Sequence, residues 1–467
     1  MNKPTVGKRT QWKQWAAGIT ATMSMVCAGT VYGWATTNLS RLMDKDSHIV
    51  ITSDQSSWIV SLTGIGSMIG PFIGAACADT FGRKRTLLLT SLIYGVGWLI
   101  DIFATKVEEL YIARVILGTG IGISYTTNPM YVSEIADVNI KGALGTLIAV
   151  NVFTGSVFTC SLGPFVAIRT LSIVLFLIPI LFLCLFAWFP ETPYFLASKK
   201  RYVEAAKSLS FFKGITDNQE AKNELEAVIL SIEKNSATQK WTTKFREMLR
   251  PNNRKALGII VSLIIAQLMS GNYTTMSYLE VLFQSANIGI NTNLATVIVL
   301  VMGLLSCALA TVTVEKVGCR PLLMTSTLGT SVTLAVLASY LIADRNGFNV
   351  TSVNWLPVVA IILFQLVYQL GLGAIPDALI GQLFPNNVKS IGSAIVTISD
   401  GVFGLVVAKL YQVIGDAVGE YVVYYIFSAA CFLAFLFAFV FIPETKNKEF
   451  EEIQQDLAVS RLHCCRR

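Results

Sequence analysis

Apolar stretches, each closed by a short charged or glycine-containing break, recur along the chain from Ala16 to Ile442. A bilayer core about 30 Å thick takes roughly 20 mostly apolar residues to cross as a helix. The pattern predicts twelve spanning helices, near 16–37, 56–78, 86–104, 108–131, 142–166, 169–189, 255–284, 291–314, 321–342, 355–378, 390–415 and 420–442. The fold class is therefore an all-α polytopic membrane protein. The first run follows Lys3, Lys8, Arg9 and Lys13 but is too long for a cleaved signal peptide, and reads as a retained helix. One segment breaks the pattern: residues 190–254 are polar, rich in Lys and Glu, and amphipathic over 203–212 and 218–232. The predicted domains are an N-terminus (1–15), a six-helix bundle (16–189), a helical linker (190–254), a second six-helix bundle (255–442) and a tail (443–467).

The breaks carry two further patterns. Lys and Arg concentrate on alternate links, at Arg83-Lys84-Arg85, Lys141, the stretch from Lys199 to Lys255, Lys316, Arg320 and Lys389. The other links hold only Arg41, Lys45, Lys106, Arg169 and Arg345. Basic residues stay in the cytoplasm, so both termini are expected there. The sequons at Asn38 and Asn349 then fall outside, as glycosylation acceptors must. The links also repeat. Asp79-Thr80-Phe81-Gly82-Arg83-Lys84 recurs as Glu315-Lys316-Val317-Gly318-Cys319-Arg320, and Pro190-Glu191-Thr192 as Pro443-Glu444-Thr445. Glu134, seven residues before Lys141, is echoed by Gln382 before Lys389. A six-helix unit has been duplicated, which implies two bundles facing each other across a central path.

Composition narrows the chemistry. Only 14% of residues are charged, against about a quarter in soluble domains. The net charge of +7 is divided among the links rather than gathered on a nucleic-acid-binding face. His48 and His463 lie outside the apolar runs, and no nucleophile–base or metal-ligand constellation is visible, so neither an enzyme nor a cofactor or metal site is expected. Six of the nine cysteines sit within apolar runs and read as small hydrophobes rather than a disulfide framework. Lipid and a small polar solute are the expected partners.

Five motifs carry a resemblance. Gly74-x4-Asp79-x2-Gly82-Arg83-Lys84-Arg85, Pro129-x-Tyr131-x-Ser133-Glu134, Pro190-Glu191-Thr192-Pro193-Tyr194-Phe195-Leu196, Gln267-x2-Ser270-Gly271 and Pro443-Glu444-Thr445-Lys446 together resemble the sugar porters of the major facilitator superfamily. Ala28-Gly29-Thr30-x2-Gly33-Trp34 and the 190–196 motif are most similar to the insect trehalose and glucose facilitators. The resemblance implies alternating access, a plasma-membrane location and a gate on the cytoplasmic side. On charge alone, Asp79, Glu134, Glu191 and Glu315 can pair with Arg83, Lys84, Lys141 and Arg320 across the two bundles. Gln382, Lys389 and Glu444 complete the candidate gate.

The same resemblance places the solute path and shows it altered. The family's helix-five glutamine falls at Ala149, its second helix-seven glutamine at Leu268 and its helix-seven asparagine at Tyr273. Its helix-eight asparagine falls at Gly303, its helix-ten tryptophan at Asp377, and its helix-eleven Asn-Trp at Asp400-Gly401. The candidate solute residues are Gln267, Ser270, Asn272, Tyr273, Thr274, Gly373, Pro376, Asp377 and Asp400. Gly371, Gly373 and Pro376 are expected to bend or break helix ten. Arg114 is an intramembrane charge, with Glu109, a helix-end carbonyl or snorkelling to the outer interface as its expected resolution. Proton-coupled relatives carry an aspartate in helix one where this chain has Ala35, which favours facilitated diffusion. The alternatives are a proton-coupled or cation carrier built on Asp377 and Asp400, and a non-transporting sensor.

Overall fold

The computed structural model describes residues 11–44, 49–215, 222–226, 228–230, 247–248, 250–285, 291–348, 353–376, 379, 383 and 389–442. The first half comprises α1 (Trp12–Met43), α2 (Ser53–Thr80), α3 (Arg83–Phe103), α4 (Val107–Ile135), α5 (Val138–Leu162) and α6 (Ile168–Phe186). Two short helices follow, α7 (Pro193–Ser198) and α8 (Tyr202–Lys213). The second half contains α9 (Pro251–Met269), α10 (Asn272–Ser277), α11 (Leu279–Ser285), α12 (Thr292–Val317), α13 (Cys319–Arg345), α14 (Leu356–Leu370), α15 (Lys389–Ala417) and α16 (Glu420–Phe441). Every expected span has its helix. The seventh is divided into α9, α10 and α11, and the tenth is interrupted after Leu370, with helical residues again at Ile375 and Pro376.

Among the described residues nine helices are long and apolar enough to cross a membrane. The first and fourth spans, 32 and 29 residues long, are richer in Gly, Ser and Thr and bury much of their length against neighbours. That composition has a physical reason. Lipid tails are as apolar as leucine, so helices associate in a membrane through close backbone approach rather than hydrophobic exclusion. A Cβ on Gly122 of α4 would stand 2.5 Å from the Ser67 carbonyl oxygen and 2.9 Å from Gly70 Cα of α2. Large apolar side chains such as Phe72, Leu92, Leu177 and Leu433 point outward instead.

The duplication is visible in the backbone. Gly82 and Gly318 cap α3 and α13 with nearly identical dihedrals, φ 104° ψ 162° and φ 102° ψ 161°. Positive φ of this kind is open to glycine and little else. A single apolar core runs between the halves, joining Trp34, Trp98 and Leu171 of the first to Leu279, Phe283, Phe364 and Tyr411 of the second.

Candidate functional site

The seventh span breaks at Gly271, whose φ of +70° turns the chain between α9 and α10, with the Phe427 ring packed where a Cβ would go. Two sequence-predicted residues serve that break rather than a solute. Ser270 Oγ donates to Gln267 O at 2.6 Å and Thr274 Oγ1 to Gly271 O at 3.0 Å, and both side chains are buried. Their hydroxyl protons are thus engaged locally. The neighbours are differently placed. Gln267 Nε2 donates to Gly373 O at 3.4 Å, and Asn272 Oδ1 has no hydrogen-bond partner. Tyr273 reaches across to the first half, where its hydroxyl donates to Val60 O at 3.2 Å and its ring meets Tyr32 edge-on with centroids 6.0 Å apart. Asp400 is exposed on α15. Gln267, Asn272, Tyr273 and Gly373 thus gather with Tyr32 about the seam.

The tenth span breaks as its glycines predict. Its backbone leaves helical geometry at Gly371, Gly373 N donates to Tyr368 O at 2.8 Å, and Ser326 Oγ accepts from Leu372 N at 2.9 Å. Pro376 is buried at the end of this turn, and Asp377 lies outside the described residues. Sequence reasoning passed over two amides in this span. Gln369 Oε1 lies 2.5 Å from where a Cβ on Gly373 would stand, and Gln365, one turn earlier, is fully buried with neither amide atom hydrogen-bonded. The legible signal was a pair of amides four residues apart, hence on one helix face, within an otherwise apolar run.

Arg114 does not snorkel. It is 0% exposed, stacked 3.8 Å from the Trp34 ring centroid, and its Nη2 lies 3.6 Å from Asp101 Oδ1 on α3. Asp101 Oδ2 accepts from Ser172 Oγ at 2.5 Å, and Ser172 accepts from Trp34 Nε1 at 3.2 Å. The expected partner, Glu109, turns back to cap α4, accepting from Thr105 N at 2.6 Å and Lys106 N at 3.2 Å. Of the carbonyls only Val31 O is near, at 3.4 Å. Asp101 was missed although it sits inside the predicted third helix, where an acidic residue is itself a signal.

Among the described residues, the predicted gate charges pair inside one half. Arg83 Nε donates to Glu134 Oε1 at 3.0 Å, its Nη1 lies 3.6 Å from Asp79, and Thr192 Oγ1 donates to Glu134 Oε2 at 2.5 Å. Glu191 accepts from Lys84 N at 3.0 and 3.1 Å, an anion at the N-terminus of α3. Arg320 Nη2 donates to Phe439 O at 2.5 Å. Among the described residues, a charged contact between the halves lies instead at the opposite end. Lys409 Nζ donates to Ser57 Oγ at 2.6 Å and Asp54 Oδ1 at 3.3 Å, and stands 4.0 Å from the Trp58 ring centroid. Ser53 donates to Asp416 at 3.3 Å, and Thr36 Oγ1 donates to Met276 O at 2.9 Å. Lys409 therefore serves Asp54 rather than Asp400.

Asn38 is fully buried, its Oδ1 facing Arg41 at 3.4 Å. An acceptor asparagine has to reach solvent, which burial of this kind opposes. Asn349, Gln382 and Glu444 fall outside the described residues, as do the side chains of Lys141, Glu315 and Lys389.

Two duplicated six-helix halves, joined by a polar linker and meeting at a broken seventh span, define the transporter architecture of the major facilitator superfamily. The chain belongs to the family described as Sugar (and other) transporter, which it matches over residues 10–457. It is similar to the facilitated trehalose transporter Tret1 of Bombyx mori, 27% identical over 97% of this chain and 89% of that protein. The Apis mellifera ligustica protein of the same name is 28% identical over 87% of this chain and 80% of its own length. The xylose transporter XylE from E. coli, in its inward-open conformation, shares the fold with a TM-score of 0.78, covering 95% of this chain and 99% of that one at 20% identity.

Proposed function

We propose that this chain carries a neutral sugar down its gradient by rocking its two halves about the seam at Gly271. The observation that carries this reading is the set of groups converging there: the amides of Gln267 and Asn272 and the phenols of Tyr32 and Tyr273. Amides and phenols both donate and accept, which suits a ring of hydroxyls, and the tyrosine rings offer apolar faces to the carbons between them. Trehalose and xylose, the sugars for which the similar proteins are named, are of that class. Lys and Arg distribution supports cytoplasmic termini, with residues 16–189 and 255–442 as the moving bodies and the plasma membrane as the location. The end closed by Lys409, Asp54 and Thr36 is then the outer one, and the state described faces inward.

A second reading, coupling to a proton or cation, is favoured by Asp400, a carboxylate carried within the spanning helix α15. Proteoliposomes given labelled trehalose, hexoses, pentoses, polyols and organic cations separate the readings. Saturable uptake of a sugar, indifferent to a pH gradient and retained in Asp400→Asn, is the expected result. Uptake that collapses with the gradient or with Asp400→Asn supports coupling. No saturable flux of any solute overturns transport in favour of sensing.

A further inference from the structure

Gln365 is hard to account for by packing. It sits in α14 among Ile361, Ile362, Leu363, Phe364, Leu366 and Val367, is 0% exposed, and has neither its Nε2 nor its Oε1 hydrogen-bonded. A buried amide with no partner costs about 1–3 kcal/mol for each unsatisfied group, and membrane depth offers no bulk water to relieve it. A leucine would fill the same volume without that cost.

Its surroundings indicate a different purpose. A Cβ on Gly303 of α12 would stand 2.8 Å from Gln365 Nε2 and 2.9 Å from Phe153 Cε1. The bare glycine therefore makes room for the amide, and the amide lies beside an aromatic ring from the other half. Here α5 of the first half meets α12 of the second. Gln369 follows one turn later on the same face and lies against Gly373, whose carbonyl accepts from Gln267. Three amides thus run from the contact between halves to the broken seventh helix.

We propose that Gln365 is a solute-selecting residue whose amide hydrogen-bonds paired hydroxyls of a neutral sugar when the α5–α12 contact parts. Phe153 then presents its ring to the sugar's carbon face. One amide donor and one amide acceptor match two adjacent hydroxyls, and a site built to bond a hydroxyl rejects analogues that lack it. This assignment rests on the transport reading above.

The test uses the full chain in proteoliposomes, with wild type, Gln365→Leu and Gly303→Ala compared at matched amounts of folded protein. Each is assayed with the best-transported sugar and its monodeoxy analogues. The expected result for Gln365→Leu is a KM raised about tenfold with kcat little changed, the loss of one or two hydrogen bonds, together with flattened discrimination against one deoxy position. Thermal stability should be unchanged or higher. Gly303→Ala, which forces the amide aside without deleting it, should blunt the same deoxy position, and it carries the test alone if Gln365→Leu does not fold. Unchanged KM and unchanged analogue ranking in the variants, with wild-type flux intact, overturn the proposal while leaving transport standing. Absence of flux in wild type overturns the transport reading and the assignment with it.

Discussion

Replacing Asp101 with asparagine tests whether the Asp101–Arg114 pair holds the first half together. Asparagine keeps the shape and can still accept from Ser172, so the change removes charge and little else. Both side chains are 1% exposed, with Nη2 and Oδ1 3.6 Å apart. At that separation, with an effective dielectric of about 20, the attraction is about 4.6 kcal/mol. Breaking a buried pair from one side typically costs about 3–5 kcal/mol because the survivor stays charged and unpaired. Stacking on Trp34 leaves Arg114 some compensation, so Asp101→Asn should cost about 3 kcal/mol, the lower end of that range. The assay is unfolding in mixed micelles, run as a double-mutant cycle with Arg114→Gln. Each single change is expected to cost several times more than the residual effect of the second change in its presence. A cost under about 1 kcal/mol for Asp101→Asn, or additive behaviour in the cycle, would refute a buried charged pair.

Three other outcomes are expected. Lys409→Gln should loosen the end of the bundle where Asp54, Ser57 and Trp58 meet α15; a cysteine introduced at Ser57 would then react severalfold faster with a membrane-impermeant thiol reagent, and an unchanged rate would remove Lys409 from the closure. Gly122→Leu should prevent α2 and α4 from packing and abolish the folded, monodisperse species in size exclusion, since overpacking costs about 1–3 kcal/mol even where side chains can shift; here the obstacles are backbone atoms. Asn38→Gln should leave electrophoretic mobility and glycosidase sensitivity untouched in a glycosylating host, and a mobility shift would contradict the burial of Asn38.

Element existence was legible because membrane spanning is a length constraint, and twelve apolar runs fix twelve helices wherever they pack. The broken seventh span was not legible: Ser270-Gly271 stood out only within a motif, and nothing local showed that Ser270 and Thr274 would turn inward to hold a break. Partners across the bundle were least legible. Glu109 is five residues from Arg114 and looks available, yet the free N–H groups at the start of α4 lie closer to it. Asp101 belongs to another helix, and nothing in the local pattern aims it at Arg114. Gln365 went unnoticed for a related reason: by position the amide belongs to α14, whereas its meaning depends on a glycine in α12 and a phenylalanine in α5.

The repeated link motif gains a purpose from comparing its two copies. Lys84 Nζ donates to Ala187 O at 2.8 Å, just past the end of α6, and Arg320 Nη2 donates to Phe439 O at 2.5 Å, near the end of α16. In each half, then, the cation beginning the third helix satisfies a carbonyl that ends the sixth, where unpaired acceptors and the helix dipole favour positive charge. Arg83 and Glu134 add a buried ion pair in the first half. Their counterparts, Cys319 and Gln382, are both uncharged. Joint loss is what the energetics require, because either charge kept alone in such a place would be destabilising. The fastening common to the two copies, glycine turn and cation-to-carbonyl bond, survives without that pair. In the described state these charges fasten each half within itself. Motion is left to the contacts between halves, which at Lys409, Ser53 and Thr36 are few, polar and exchangeable.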